Sequence, residues 1–306
     1  MFAQSKQGPV LIGWLHTGSR ESFAHLFAAF TDGLAALGWR RGTEIVIEER
    51  WADGRNDRLP PFAAELAAKR PAVIVTVGAH ALAAAAKAAP KTPIVVAAGD
   101  PLAAGLVSNL ARPGGMITGV TNIVAQVSEK HLELLLDADP RLRRIGFLGD
   151  PNNPAGPALL DTARRSIAGR PVEARFEEAA GPEDIEPAMS RLGKQGAQAL
   201  IVMGSPLFVT ERRRIVKLAL ARRWPVVAGL TEWAEEGALL SYGTDRPALH
   251  RRAAWYVDRI LKGAKPGDLP IEQPTKFDLV VNMKTARTLG ITIPQSILVR
   301  ADRVIE

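Results

Sequence analysis

The 306-residue chain contains no cysteine. That excludes disulfides, Cys-ligated metals, a thiol nucleophile and a lipid-modified cysteine in this sequence. No apolar run approaches the roughly 18 residues that a membrane-spanning helix needs. Met1–Gly8 is polar and too short for a secretory signal, as expected of a chain whose export signal has been trimmed. The local signatures of common catalytic sites are missing too. There is no G-x-S-x-G, no G-x-x-x-x-G-K-[ST] and no H-E-x-x-H, and no G-x-G-x-x-G follows a strand. A convergent acid, base and nucleophile set is not visible, so no catalytic residue is assigned.

A formal charge of +7 and a pI near 9.9 raise nucleic acid as a partner. The basic residues, however, fall on helix faces, as in Glu211-Arg212-Arg213-Arg214 and Arg251-Arg252. No aromatic-interleaved basic patch accompanies them, and nucleic acid is not expected to bind. What is present is an ordinary globular composition, 47% hydrophobic and 23% charged, which argues against a disordered chain. The length exceeds what one hydrophobic core usually serves, so two domains of about 150 residues each are expected.

The pattern alternates strand and helix. Val10–Trp14 reads as a core strand, and Phe23, Leu26, Phe27, Phe30, Leu34 and Leu37 form one apolar helix face ending at Gly38. Further strands are expected at 44–51, 72–77 and 94–98, with helices at 57–69 and 81–89 and a short apolar helix after Gly99-Asp100-Pro101. A strand leaving through Gly119-Val120-Thr121-Asn122 follows the turn Arg112-Pro113-Gly114-Gly115. The alternation then restarts. Strands are expected at 144–148, 172–176, 199–203, 225–228, 238–242 and 277–281, with helices at 128–136, 158–168, 182–194, 248–261 and 284–289. Repeated βαβ units imply parallel sheets covered on both faces.

The halves echo each other. Ile12-Gly13-Trp14-Leu15 returns as Ile145-Gly146-Phe147-Leu148, Val73–Gly78 as Leu200–Gly204, and Thr92–Ala97 as Trp224–Ala228, at offsets of about 130 residues. The expected fold is α/β, with two doubly wound, Rossmann-like domains. The first comprises 1–121 plus about 243–268, and the second 122–242 plus about 269–306. Three crossings, near 121–124, 240–244 and 266–276, make a three-segment hinge.

With these motifs in view, the sequence resembles the substrate-binding proteins of bacterial ABC transporters. Within them it is similar to the type I periplasmic-binding branch that takes up aromatic amino acids such as tryptophan and tyrosine. The resemblance spans essentially the whole chain. It rests on Ile12–Leu15, Arg50-Trp51-Ala52-Asp53-Gly54-Arg55 with Asp57-Arg58-Leu59-Pro60, and Gly99-Asp100-Pro101. Leu110–Gly115, Leu240-Ser241-Tyr242-Gly243 and Gln273-Pro274-Thr275-Lys276-Phe277 complete it. It implies a non-catalytic, monomeric receptor without cofactor, located in the periplasm or outside the cytoplasm. Such a receptor closes by hinge bending on a small ligand and serves an ABC permease in the inner membrane. His80 departs from the pattern, since relatives usually carry a small or hydroxyl residue there.

If the domains face each other, strand carboxyl ends line the cleft at 16–19, 78–80, 99–100, 150–153, 204–206 and 230–232. Gly78, Ala79, Gly99, Pro206 and Thr231 lie on these segments, where first-turn N–H groups of helices suit a carboxylate. Thr17, Ser19 and Ser205 read equally as hydroxyl donors to a ligand or as helix caps. Asp100 reads as the partner of a ligand ammonium, or else as the cap of a helix beginning at Leu102. Asn152 and Asn153 read as ligand contacts or turn residues. Tyr242, with Phe208 and Trp233 behind it, reads as a stacking platform or as packing. Asn122, at the first crossing, reads first as a hinge residue and completes the candidate set. His16, His80 and Asp100 match no usual metal spacing, and no metal is expected. An intracellular ligand sensor and an enzyme on the same fold are the alternatives. A DNA-binding headpiece ahead of Val10 or turnover of the ligand would mark them.

Overall fold

The computed structural model describes residues 8–102, 104–121, 124–153 and 155–306. In chain order the first stretch holds β1 (Val10–His16), α1 (Arg20–Ala36), β2 (Ile45–Trp51), α2 (Leu59–Ala68) and β3 (Val73–Val77). It continues with α3 (Ala79–Ala88), β4 (Ile94–Ala98) and β5 (Ile117–Val120). Next come α4 (Val124–Ala138), β6 (Arg144–Gly149), α5 (Gly156–Ile167), β7 (Glu173–Glu178), α6 (Ile185–Lys194) and β8 (Ala199–Val202). These lead to α7 (Pro206–Thr210), α8 (Arg212–Ala221), β9 (Val226–Ala228), α9 (Thr231–Glu235) and β10 (Leu240–Thr244). The last part holds α10 (Arg246–Leu261), β11 (Ile271–Glu272), β12 (Phe277–Asn282), α11 (Met283–Leu289), α12 (Gln295–Leu298) and β13 (Arg303–Ile305).

Two compact units result, one of residues 1–122 with 246–273 and one of 123–245 with 274–306. The chain passes between them three times. Unit 1 has a six-stranded sheet, β11-β5-β4-β3-β1-β2, parallel at every pairing. Unit 2 has seven strands, β13-β12-β10-β9-β8-β6-β7. The runs β2-β1-β3-β4-β5 and β7-β6-β8-β9-β10 have the same order, and the three echoed sequence pairs occupy the same places in them. Each sheet therefore reverses its winding direction once, between β1 and β3 and between β6 and β8, the points where open α/β sheets leave a crevice at the carboxyl edge.

Two expectations are corrected. The sheet of unit 2 is mixed, because β12 runs antiparallel to β10, pairing Thr244 with Phe277 and Leu240 with Val281. The chain leaves this sheet at the end of β10 and re-enters beside that same end, so the returning strand must run backward. The apolar helix expected after Asp100 also does not form. Among the described residues, 101–116 are turns and bends. A single turn forms, with Ala104 N–H on the Asp100 carbonyl and Gly105 N–H on that of Leu102. It ends at Gly105, whose φ of +67° breaks the helix.

Each strand alternates its side chains between two cores. In unit 1, Ile12, Trp14, Val75 and Val95 pack with Phe27, Phe30 and the α10 residues Ala253, Tyr256 and Val257. On the other face Leu15, Ile74, Ile94 and Val96 pack with Leu66, Leu82 and Ala85 of α2 and α3. Unit 2 repeats this, with Phe147 and Ile201 facing Leu132, Leu135 and Leu159. On its opposite face Leu148, Leu200 and Val226 meet Met189, Leu192 and Ile215. Each buried Val, Leu, Ile, Phe or Met among them stabilises the fold by about 1.5–3 kcal/mol through removal of apolar area from water.

Candidate functional site

In unit 1 the carboxyl ends of β1, β3, β4 and β5 are tied into one shelf. The Thr17 hydroxyl donates to the Val77 carbonyl at 3.2 Å, and Thr17 N–H donates to the same oxygen. Gly78 follows with φ +101°, and a Cβ there would lie 2.5 Å from Thr17 Oγ1, so both backbone and neighbour demand glycine. Gly78 N–H donates to Ala98 at 2.8 Å, and the Thr121 hydroxyl closes the row on the Gly99 carbonyl at 2.6 Å. The hydroxyls of Thr17 and Thr121 thus hold loops together, and both residues are buried.

What the shelf offers outward is different. Ser19 caps α1 by accepting Ser22 N–H at 3.2 Å. Ala79 and His80 form the first turn of α3, where a helix has N–H groups without an intrahelical acceptor. Both are partly exposed, as is Asp100. One oxygen of Asp100, Oδ1, accepts Leu102 N–H at 3.1 Å in an Asx-type turn, which replaces the helix cap expected there.

Behind the shelf lies an aromatic cluster that sequence spacing did not single out. His16 is buried, stacked on Trp51 with ring centroids 4.6 Å apart and against Phe23 at 4.4 Å. Its Nδ1 accepts Gly18 N–H at 2.7 Å, which leaves the hydrogen of the neutral ring on Nε2. Burial, and then the charges of Arg246 and His250, hold its pKa well below the ordinary imidazole value. Arg246, at the start of α10, places its guanidinium 5.2 Å from the Phe23 ring centroid. The signal for Arg246 is its tertiary position; in sequence it is one of many arginines.

In unit 2 the corresponding loops use side chains differently. The Ser205 hydroxyl donates to Asp150 Oδ2 at 2.6 Å and accepts Leu207 N–H, so it caps α7 while binding the β6 loop. Asn153 Nδ2 donates to the Gly204 carbonyl at 2.6 Å and its Oδ1 accepts Ala155 N–H. Asn152 Nδ2 reaches the Ala180 carbonyl at 3.2 Å. Pro206 and Thr231 begin α7 and α9. Tyr242 stacks on Phe277, centroids 5.8 Å apart, and its carbonyl takes a 2.7 Å hydrogen bond from Nε2 of His131. Burial lowers the His131 pKa to about 4, so that ring is neutral and donates. Phe208 and Trp233, expected as possible ring platforms, are fully buried in the core of this unit.

Unit 1 therefore gathers Thr17, Ser19, Gly78, Ala79, His80, Gly99 and Asp100 at one sheet edge. Unit 2 gathers Asn152, Asn153, Ser205, Pro206, Thr231 and Tyr242 at one edge of its own. Asn122 lies outside the described residues. Among the described residues no group of three His, Asp or Glu side chains is placed to hold a metal, and no helix is long and apolar enough to cross a membrane.

Two doubly wound units joined by three crossings, with polar loops at the carboxyl edges, define the two-domain type I ligand-binding architecture. Solved structures of that class align closely. One is a conserved domain protein from Vibrio cholerae O1 biovar El Tor, with a TM-score of 0.91, 25% identity and coverage of 97% of this chain and all of that one. Another is an ABC domain from Streptococcus pneumonia in complex with L-Trp, with a TM-score of 0.90, 25% identity and the same coverage. A curated relative, the tyrosine-binding protein of Clostridioides difficile, is 24% identical over 264 residues, 86% of this chain and 75% of that protein. The model of the family described as ABC transporter substrate binding protein matches residues 17–305. The chain belongs to that family.

Proposed function

We propose that this protein is the extracytoplasmic solute receptor of an ABC import system. Its ligand is an amino acid with an aromatic side chain, or a closely related carboxylate, which it captures and delivers unchanged to a membrane permease. The observation that carries the reading is the family match over residues 17–305, strengthened by likeness across almost the whole chain to a domain that holds L-Trp. The residues present suit the chemistry. Asp100 is a partly exposed carboxylate able to pair with an ammonium. The first turn of α3 offers N–H groups to a carboxylate. Tyr242 supplies a ring for stacking, already aligned by Phe277.

Thermal unfolding against a panel of amino acids, small carboxylates, nucleosides and sugars tests this. A ligand at a hundredfold excess over Kd stabilises the folded state by about 2.7 kcal/mol. L-Trp or L-Tyr is expected to raise Tm, to remain chemically intact, and to lose its effect in Asp100→Ala. A Tm response confined to sugars or nucleosides, or consumption of the bound compound, would overturn the reading.

A further inference from the structure

We propose that unit 2 carries a second small-molecule site of its own, in the crevice between α5 and the edge strand β7, fitted to a flat aromatic ring bearing a carboxylate. The crevice has a volume of about 690 Å³, within the range of about 300–1,000 Å³ usual for small-ligand pockets. All its lining residues belong to unit 2, so binding there needs no closure of one unit on the other.

Its wall is aromatic. Phe147 and Phe176 stack with centroids 4.9 Å apart and planes 24° from parallel. Phe147 is buried, whereas Phe176, on the sheet edge, is only partly covered and presents ring surface to the crevice. Met203 and Leu160 extend the apolar surface, and a thioether beside a ring edge adds polarizable contact.

The charges are asymmetric in their commitments. Glu177 accepts from Arg191 and Gln195. Asp150 accepts the Ser205 hydroxyl and Asn152 N–H. Glu178 is exposed at the rim. Arg164 lies over Phe176, 5.7 Å from the ring centroid, with no ion pair to a described residue, while its neighbour Arg165 is engaged by Asp161 and Thr162. A ring slipped against Phe176 would bring an attached carboxylate under the Arg164 fork, whose planar donors match two carboxylate oxygens. The strand ends behind the crevice are tied together by the Asp150–Ser205 bond and the Asn153–Gly204 bond.

Titration calorimetry of the full chain with benzoate and phenylacetate, in the absence and presence of saturating L-Trp, tests the proposal. Nuclear magnetic resonance with labelled phenylalanine locates the contact. Binding is expected to persist beside L-Trp, to perturb the Phe176 ring signals, and to weaken at least tenfold in both Arg164→Ala and Phe176→Leu. L-Trp binding should be unchanged in those variants, which separates failure here from failure of the receptor reading. Loss of benzoate and phenylacetate binding when L-Trp is present, affinity unaffected by Arg164→Ala, or no binding at millimolar concentration would each overturn it. Phe176→Leu keeps the position apolar, and an unchanged Tm and circular dichroism spectrum in Arg164→Ala would exclude unfolding as the cause.

Discussion

Acidification should destabilise unit 2 through one residue, His131. Its ring is buried on α4, in contact with the end of β10 through the 2.7 Å bond from Nε2 to the Tyr242 carbonyl. Burial lowers its pKa to about 4, against an ordinary value near 6.5; the bond to the carbonyl acts in the opposite direction but is the smaller effect. Above pH 6.5 the imidazole is neutral in folded and unfolded chains, and its contribution is fully present. As pH falls below 6.5 the unfolded chain takes up a proton that the folded chain refuses, so stability falls. Below about pH 4 both states are protonated and the loss stops. At 1.36 kcal/mol per pH unit, the span from about 6.5 to about 4 corresponds to a loss of roughly 3 kcal/mol. Urea unfolding from pH 7 to pH 4, followed by circular dichroism, should show this loss in the wild type. In His131→Gln, which keeps an N–H donor but cannot titrate, the pH 7 to pH 4 difference should shrink by about that amount. His16 contributes in the same direction in both proteins, so the difference between the two curves isolates His131. Nuclear magnetic resonance titration gives the direct check. A His131 ring that protonates at pH 6 or above, or a pH dependence identical in wild type and His131→Gln, would refute the reasoning.

Two further outcomes follow from the close contacts at the sheet edges. Gly243→Ala should cost about 3 kcal/mol or more, because its Cβ would fall 1.5 Å from the Gly229 carbonyl oxygen, whereas Gly115→Ala meets nothing within 4 Å and should be nearly neutral; thermal denaturation of the pair measures the contrast. Thr121→Val deletes the 2.6 Å bond that holds Gly99 and leaves a buried carbonyl without that donor. It should lower stability by about 1–3 kcal/mol and weaken ligand binding by loosening the loop that carries Asp100, which calorimetry with L-Trp would register.

The alternation of apolar runs with helical spacing was enough to determine the α/β class, the positions of most strands and the doubling of the fold. Buried parallel strands read as continuous Val, Ile and Ala, and such local patterns survive whatever surrounds them. The echoes Ile12–Leu15 with Ile145–Leu148 and Val73–Gly78 with Leu200–Gly204 are of this kind, since each marks a strand at the same place in its sheet. Glycines at strand ends were legible as breaks, and Asp100, Ser205 and the Asn152-Asn153 turn were legible as polar groups at carboxyl edges.

What each of those groups does was decided by neighbours distant in sequence. Thr17 and Thr121 are hydroxyls in the chain but loop fasteners in the fold, because the carbonyls of Val77 and Gly99 lie within reach. Phe208 and Trp233 are aromatic residues near strand ends, yet both face the core. The backward run of β12 depends on where the chain re-enters its sheet, and nothing in Phe277–Asn282 encodes direction. Arg246 and His250 reach His16 from more than two hundred residues away in sequence. Periodicity reports how a segment meets a core, a local matter. Hydrogen-bond partners, strand direction and shifted pKa values depend on what the rest of the chain places opposite, and only the tertiary structure brings those groups together.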